Sequence, residues 1–196
     1  MRVMLVTDIP NAVEAFQAHA AGTNGGMHEV VSFCAPNGEM VDKAREAAPD
    51  MIVVHVADPN DFPFTELQSL NETAPLPVMF LADDERPEMM TQASRAGVVA
   101  YLPVTAGLQA FPSLAEWTRT QFLAMRELKT RLKEKEDKLA DRITIERAKG
   151  IVMKLKGLEE DTAYHEIRKL AMKRSQPMRV VAEQIIDTES LVLCKG

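Results

Sequence analysis

The chain has 196 residues, 46% of them apolar, with 23 Lys+Arg against 29 Asp+Glu and a formal charge of −6, enough for one sizeable core and a small second module. Two cysteines far apart, Cys34 and Cys194, with no CxxC and no Cys/His metal spacing, argue against a zinc or redox site, so Cys34 is expected to be buried and Cys194 to be a free tail thiol. The strand-like start RVMLVT and the lack of any run of ~18 apolar residues argue against a signal peptide and a membrane span, and a soluble cytoplasmic protein is expected.

Apolar runs alternate with helical spacing through the first hundred residues. Strands are expected at 2–7, 29–33, 51–56, 78–81 and 99–102. Helices are expected at 11–21, 39–48, 64–70 and 87–96, the last closed by Gly97. Five short apolar strands joined by helical crossovers call for a parallel sheet covered on both faces, an α/β doubly wound fold. Thr7-Asp8-Ile9-Pro10-Asn11 carries no glycine, so the first turn is not a phosphate-binding loop. No Ser/His/Asp or Cys/His set has local support, and the chain is read as a non-enzyme without a cofactor.

The register of these elements resembles a response-regulator receiver domain, with expected strand order 2-1-3-4-5. The resemblance places Asp8, beside Thr7, at an acidic position after the first strand. The third strand, where a receiver carries its phospho-accepting aspartate, ends in His55. The hydroxyl residue expected after strand four is Ala82, and Val104 stands for the lysine after strand five. Aspartyl phosphorylation needs a carboxylate nucleophile, a divalent cation held by several hard oxygens and a lysine for the developing charge. Asp8, His55, Ala82 and Val104 therefore spell a degenerate pocket, and the domain is read as a pseudo-receiver. Asp83-Asp84-Glu85 is read as a solvated loop before a helix N-terminus, not as a metal cluster.

Residues 105–113, with Gly107 and Pro112, mark a break before a long helix that begins near Pro112 and runs past Ile143. Leu128, Leu132, Leu139 and Ile143 give it an apolar seam, interrupted by Lys135 and flanked by the alternating charges of RELKTRLKEKEDKLADR. A homodimeric coiled coil is expected; the alternative is a single amphipathic connector lying on the receiver.

Charge is divided along the chain. Residues 1–120 hold 6 Lys+Arg and 16 Asp+Glu, and residues 121–196 hold 17 and 13, or −10 followed by +4. A polyanion would meet the C-terminal part. Residues 139–186 read as three short helices, with Gly157 ending the first, Glu159, Glu160 and Asp161 opening the second, and Pro177 opening the third.

In this segment ERAKGIVMK, AYHEIRKLAMKRS and RVVAEQII resemble the ANTAR domain of the AmiR/NasT family of transcription antitermination regulators. The resemblance implies binding to paired stem-loops of a leader mRNA, failure of a downstream terminator, and control by a ligand-sensing regulatory protein. The Asp8-Ile9-Pro10 start and overall length resemble the NasT branch, which implies nitrate or nitrite as inducer and a role in nitrate assimilation. The domains expected are a pseudo-receiver at 1–111, a coiled-coil linker at 112–138 and an ANTAR domain at 139–196.

Arg147, Lys149 and Lys173 are expected at RNA phosphates, since each phosphate neutralised releases counterion. Tyr164, Arg168 and Arg174 are expected near loop bases, with Tyr164 and Arg168 one turn apart. Lys154 and Arg179 complete the basic set. Three short helices also suit a helix-turn-helix that reads DNA, but the third, 178–186, is mostly apolar or small beyond Arg179, Glu183 and Gln184. A coiled-coil adaptor without nucleic-acid affinity is the other alternative.

Overall fold

A computed structural model describes residues 1–20 and 28–193, which divide into two compact units, Met1–Arg126 and Glu127–Gly196. Cys194 lies outside the described residues.

The first unit is a five-stranded parallel sheet in the order β2-β1-β3-β4-β5. Its strands are β1 (Arg2–Thr7), β2 (Glu29–Cys34), β3 (Met51–His55), β4 (Val78–Leu81) and β5 (Ala100–Leu102). Strand residues alternate between faces. Met4, Val6, Ile52, Val54, Val78 and Phe80 therefore meet one layer of helices, α2 (Met40–Ala47), α3 (Phe64–Thr73) and α4 (Pro87–Arg95), through Met40, Leu67, Leu70 and Met89. Val3, Leu5, Met51, Val53, Met79 and Leu81 meet the opposite layer through Phe16 of α1 (Ala12–Ala20) and Phe111 and Ala115. Burial on both faces is why these strands read as unbroken apolar runs. Phe80 stacks on Phe64 at 5.5 Å and on Tyr101 at 5.3 Å, and each ring buried as fully as Phe64 and Phe80 contributes about 1.5–3 kcal/mol.

The segment expected to be a break forms a helix, α5 (Val104–Gln109). Gly107 lets it approach the sheet, because a Cβ there would strike the Leu81 side chain. After one residue α6 begins, and it runs from Phe111 to Lys156 without interruption. The boundary expected at 138/139 thus falls inside a helix, and the first of the three short helices is the end of a 46-residue one.

In the second unit α6 ends at Gly157, whose φ of +61° reverses the chain into α7 (Glu160–Arg174). Ser175, also left-handed at φ +51°, closes α7 before α8 (Met178–Leu193). Ala148, Ala163, Ala171 and Ala182 are almost fully buried with Val152, Ile167 and Val181. Four alanines in so small a core let three helices come close while few large side chains hold them.

Among the described residues, no helix is long and apolar enough to cross a membrane.

Candidate nucleic-acid interface

The receiver-like unit gathers its sequence-expected site residues at one edge of the sheet. Thr7 lies opposite His55, His55 opposite Leu81, and Leu81 opposite Leu102, so the residues that follow these strands share the carboxyl edge. Asp8 Oδ1 accepts the Ala57 N–H at 3.0 Å, and Asp83 Oδ1 accepts the Val104 N–H at 2.9 Å. The two nearest acids thus fasten loops, and Val104 opens α5 where a lysine would reach towards a phosphoryl group. Ala82 is buried and offers no hydroxyl. His55 Nδ1 is buried without a hydrogen-bond partner. Burial lowers its pKa below the usual histidine value, partly offset by the charges of Asp8 and Asp83. Asp84, in the loop read as solvated, binds the Arg86 guanidinium at 2.6 Å and accepts the Arg86 N–H. Cys34 is buried and unbridged, and burial pushes its thiol up to about 11.

In the helical unit the basic residues sort into engaged and unengaged. Lys149, expected at a phosphate, is one of the few buried charged side chains: its Nζ lies 2.5 Å from Glu146 and 2.7 Å from Glu160. With both acids raising its pKa, it serves as a cross-link between α6 and α7. Arg179 departs from expectation in the same way, held by Asp141 at 3.0 Å and Glu183 at 2.9 Å. Lys156 lies 3.6 Å from Glu166, and Arg174 donates to Gln184 Oε1. Arg147, Lys154, Arg168, Lys169 and Lys173 are exposed and, among the described residues, have no ion-pair partner.

Several of these cations border one groove of about 670 Å³ between the end of α6, α7 and α8. Its floor is aliphatic, with Leu155, Ile167, Leu170 and Ile185. Lys154, Lys156, Lys169, Lys173 and Arg174 stand along it against Glu166 and Glu189. Lys154, Lys173 and Arg174 of the expected set therefore come together, and Lys169, outside that set, joins them. Arg147 lies seven residues before Lys154 on α6. Tyr164 and Arg168 do share a side of α7, in a row with Met172 at four-residue steps, but this row does not line the groove. Tyr164 is 38% exposed and Met172 72%.

Residues 133–186 match the ANTAR domain. All eight basic and aromatic residues singled out in the sequence fall within the ANTAR match, as do the groove and most of its rim. Two curated proteins align more widely or more closely. The "Transcriptional regulatory protein PdtaR" of Mycobacterium tuberculosis is 24% identical over 161 residues, which cover 82% of this chain and 78% of that one. The "Nitrate regulatory protein" of Klebsiella oxytoca is 32% identical over 73 residues, 37% of this chain and 18% of that protein. Among solved structures, the signal receiver domain of a modulated diguanylate cyclase from Desulfovibrio desulfuricans G20 superposes with a TM-score of 0.51 at 18% identity, over 63% of this chain and 97% of that one. That likeness concerns the fold alone. The chain is thus a receiver-like α/β unit followed by a long helix and an ANTAR domain.

Proposed function

We propose that the chain is an RNA-binding transcription antiterminator that engages paired stem-loops of a nascent leader mRNA through its ANTAR domain and keeps a terminator from forming. The observation that carries this reading is the ANTAR match over 133–186. The side of that domain bearing Arg147, Lys154, Lys169 and Lys173 is rich in cations without acid partners, and such cations release counterion when they meet phosphates. Lys149 and Arg179, already neutralised by carboxylates, hold the helices in place instead. Tyr164 and Arg168 form a second, smaller contact for an unpaired loop base.

The exposed side of α8 argues against groove-reading of DNA. Arg179 and Glu183 are tied to each other, and Asp187 presents negative charge where a recognition helix would face phosphates.

The receiver-like unit acts as a docking body for a ligand-sensing regulatory protein, with nitrate or nitrite as the inducer, and phosphorylation plays no part. A neutral imidazole at His55, an aliphatic Ala82 and acids committed to backbone N–H groups support this. The seam of Leu128, Leu132, Leu139 and Ile143, each between 60% and 65% exposed, pairs two copies. Dimerisation then presents two ANTAR domains to two hairpins at high effective concentration. In single-round transcription from a leader template ending in a terminator, added protein raises read-through, and the Lys154→Ala/Lys173→Ala double variant does so less. Read-through that ignores the protein would refute the reading.

A further inference from the structure

Gly150 stands in the interior of α6, exposed, where glycine disfavours the helix relative to alanine. Among the described residues nothing calls for it. A Cβ at Gly150 would meet no atom within 4 Å, whereas at Gly107 it would strike Leu81 and at Gly157 the backbone is left-handed. With Glu146, already paired to Lys149, and Met153, its neighbours on the same side of the helix are Arg147, three residues before, and Lys154, four after. Both cations are exposed and, among the described residues, neither has an ion-pair partner.

The strip to which Gly150 belongs changes character along its length. Leu132, Leu139 and Ile143 are apolar and at least 60% exposed, and one turn later the strip becomes Arg147, Gly150 and Lys154. A second copy running parallel along the leucines would bring its own Arg147 and Lys154 against these two, like charge facing like. An anionic partner therefore fits against Gly150 better than a second copy does, Glu146 on the same strip being already paired with Lys149.

We propose that Gly150 is where the sugar–phosphate backbone of the bound RNA lies directly against α6, with Arg147 and Lys154 on the phosphates to either side. The seven-residue step from one cation to the other spans about 10.5 Å of helix axis, so the two straddle a strand crossing at the glycine. This rests on the RNA-binding reading and names the contact within it.

The test uses the full chain with Gly150→Ala and Gly150→Leu, a two-hairpin leader RNA in filter binding across a KCl series, thermal melts and sedimentation velocity. Gly150→Ala is expected to raise the melting midpoint by about 2–4 °C, because alanine favours helix, and yet to bind RNA several-fold more weakly. Gly150→Leu is expected to lose about tenfold or more, with a salt slope shallower by about one to two. A folded variant with wild-type affinity and slope would overturn the proposal. So would altered sedimentation with unchanged affinity per dimer, which would make the second copy the occupant. A wild-type chain that binds no hairpin removes the RNA reading and this contact with it.

Discussion

Lys149 Nζ lies 2.7 Å from Glu160 Oε1, a pair that ties the closing turns of α6 to the first turn of α7. Lys149→Ala and Glu160→Gln are each expected to lower the melting midpoint and to leave the salt slope of RNA binding unchanged, because the ammonium is already spent on carboxylates. The pair holds Glu160 below the usual carboxylate range and Lys149 above the usual lysine range. A depressed carboxylate contributes stability above its unfolded value of about 4.3, and that stability is lost as pH falls through the folded value. A raised lysine contributes below about 10.4 and loses its contribution as pH rises through its folded value. The midpoint gap between wild type and Glu160→Gln should therefore be widest near neutral pH and close in acid, as thermal melts from pH 7 to pH 3 will report.

At the edge of the receiver-like sheet, acetyl phosphate with magnesium is expected to leave the chain unlabelled. His55→Asp alone should not restore labelling, because Asp8 and Asp83 already accept the Ala57 and Val104 N–H groups and no lysine stands at 104. Phosphate incorporation on phosphate-affinity gels by either protein would contradict this. The buried imidazole also carries a pH signature. Its lowered value means the unfolded chain takes up the proton first as pH falls, so stability is present above about pH 6.5 and declines below it. His55→Asn should flatten the decline in melting midpoint between about pH 7 and pH 5.

The seam on α6 makes its own demand. Leu132 and Leu139, both 60% exposed, are expected to be covered by a second copy. Leu132→Glu or Leu139→Glu should shift sedimentation at micromolar concentration from dimer to monomer, with melting of the sheet unit unchanged. A wild-type chain that is monomeric at every concentration would sink the dimer.

The ANTAR bundle depends on few large side chains, and Ile167, 1% exposed, is central among them. Ile167→Ala should cost about 2–5 kcal/mol in urea unfolding. A loss under about 1 kcal/mol would mean that the buried alanines, rather than Ile167, set the stability of this core.

The sheet was legible in the sequence because doubly buried strands must be apolar at every position, as MIVV and VMFL are, and the helices between them carry clear stripes. The strand-end position of His55 followed from that register alone. Helix α5 was hidden because its six residues contain Gly107 and follow Pro103, a composition that reads as a break until the close passage beside Leu81 explains the glycine. The run of α6 past Ile143 was legible, but its continuation to Lys156 was masked by reading residues 139–186 as three short helices, although nothing between Pro112 and Gly157 other than Gly150 opposes helix. The acid partners of Lys149 and Arg179 were illegible for a physical reason: a basic residue's availability depends on acids brought near by folding. Glu160 lies across a turn, and Asp141 is 38 residues before Arg179. The groove was illegible for the same reason, since its rim is assembled from three helices.

The most direct test of the central claim compares a two-hairpin leader RNA with duplex DNA of matched length, each bound by the full chain across a KCl series. We expect the RNA to bind more tightly at every salt concentration, with an affinity that falls steeply with salt and a slope that becomes shallower by about one unit for each of Lys154→Ala and Lys173→Ala. Tighter binding to the duplex, or an affinity for RNA that neither salt nor these substitutions alters, would contradict the account.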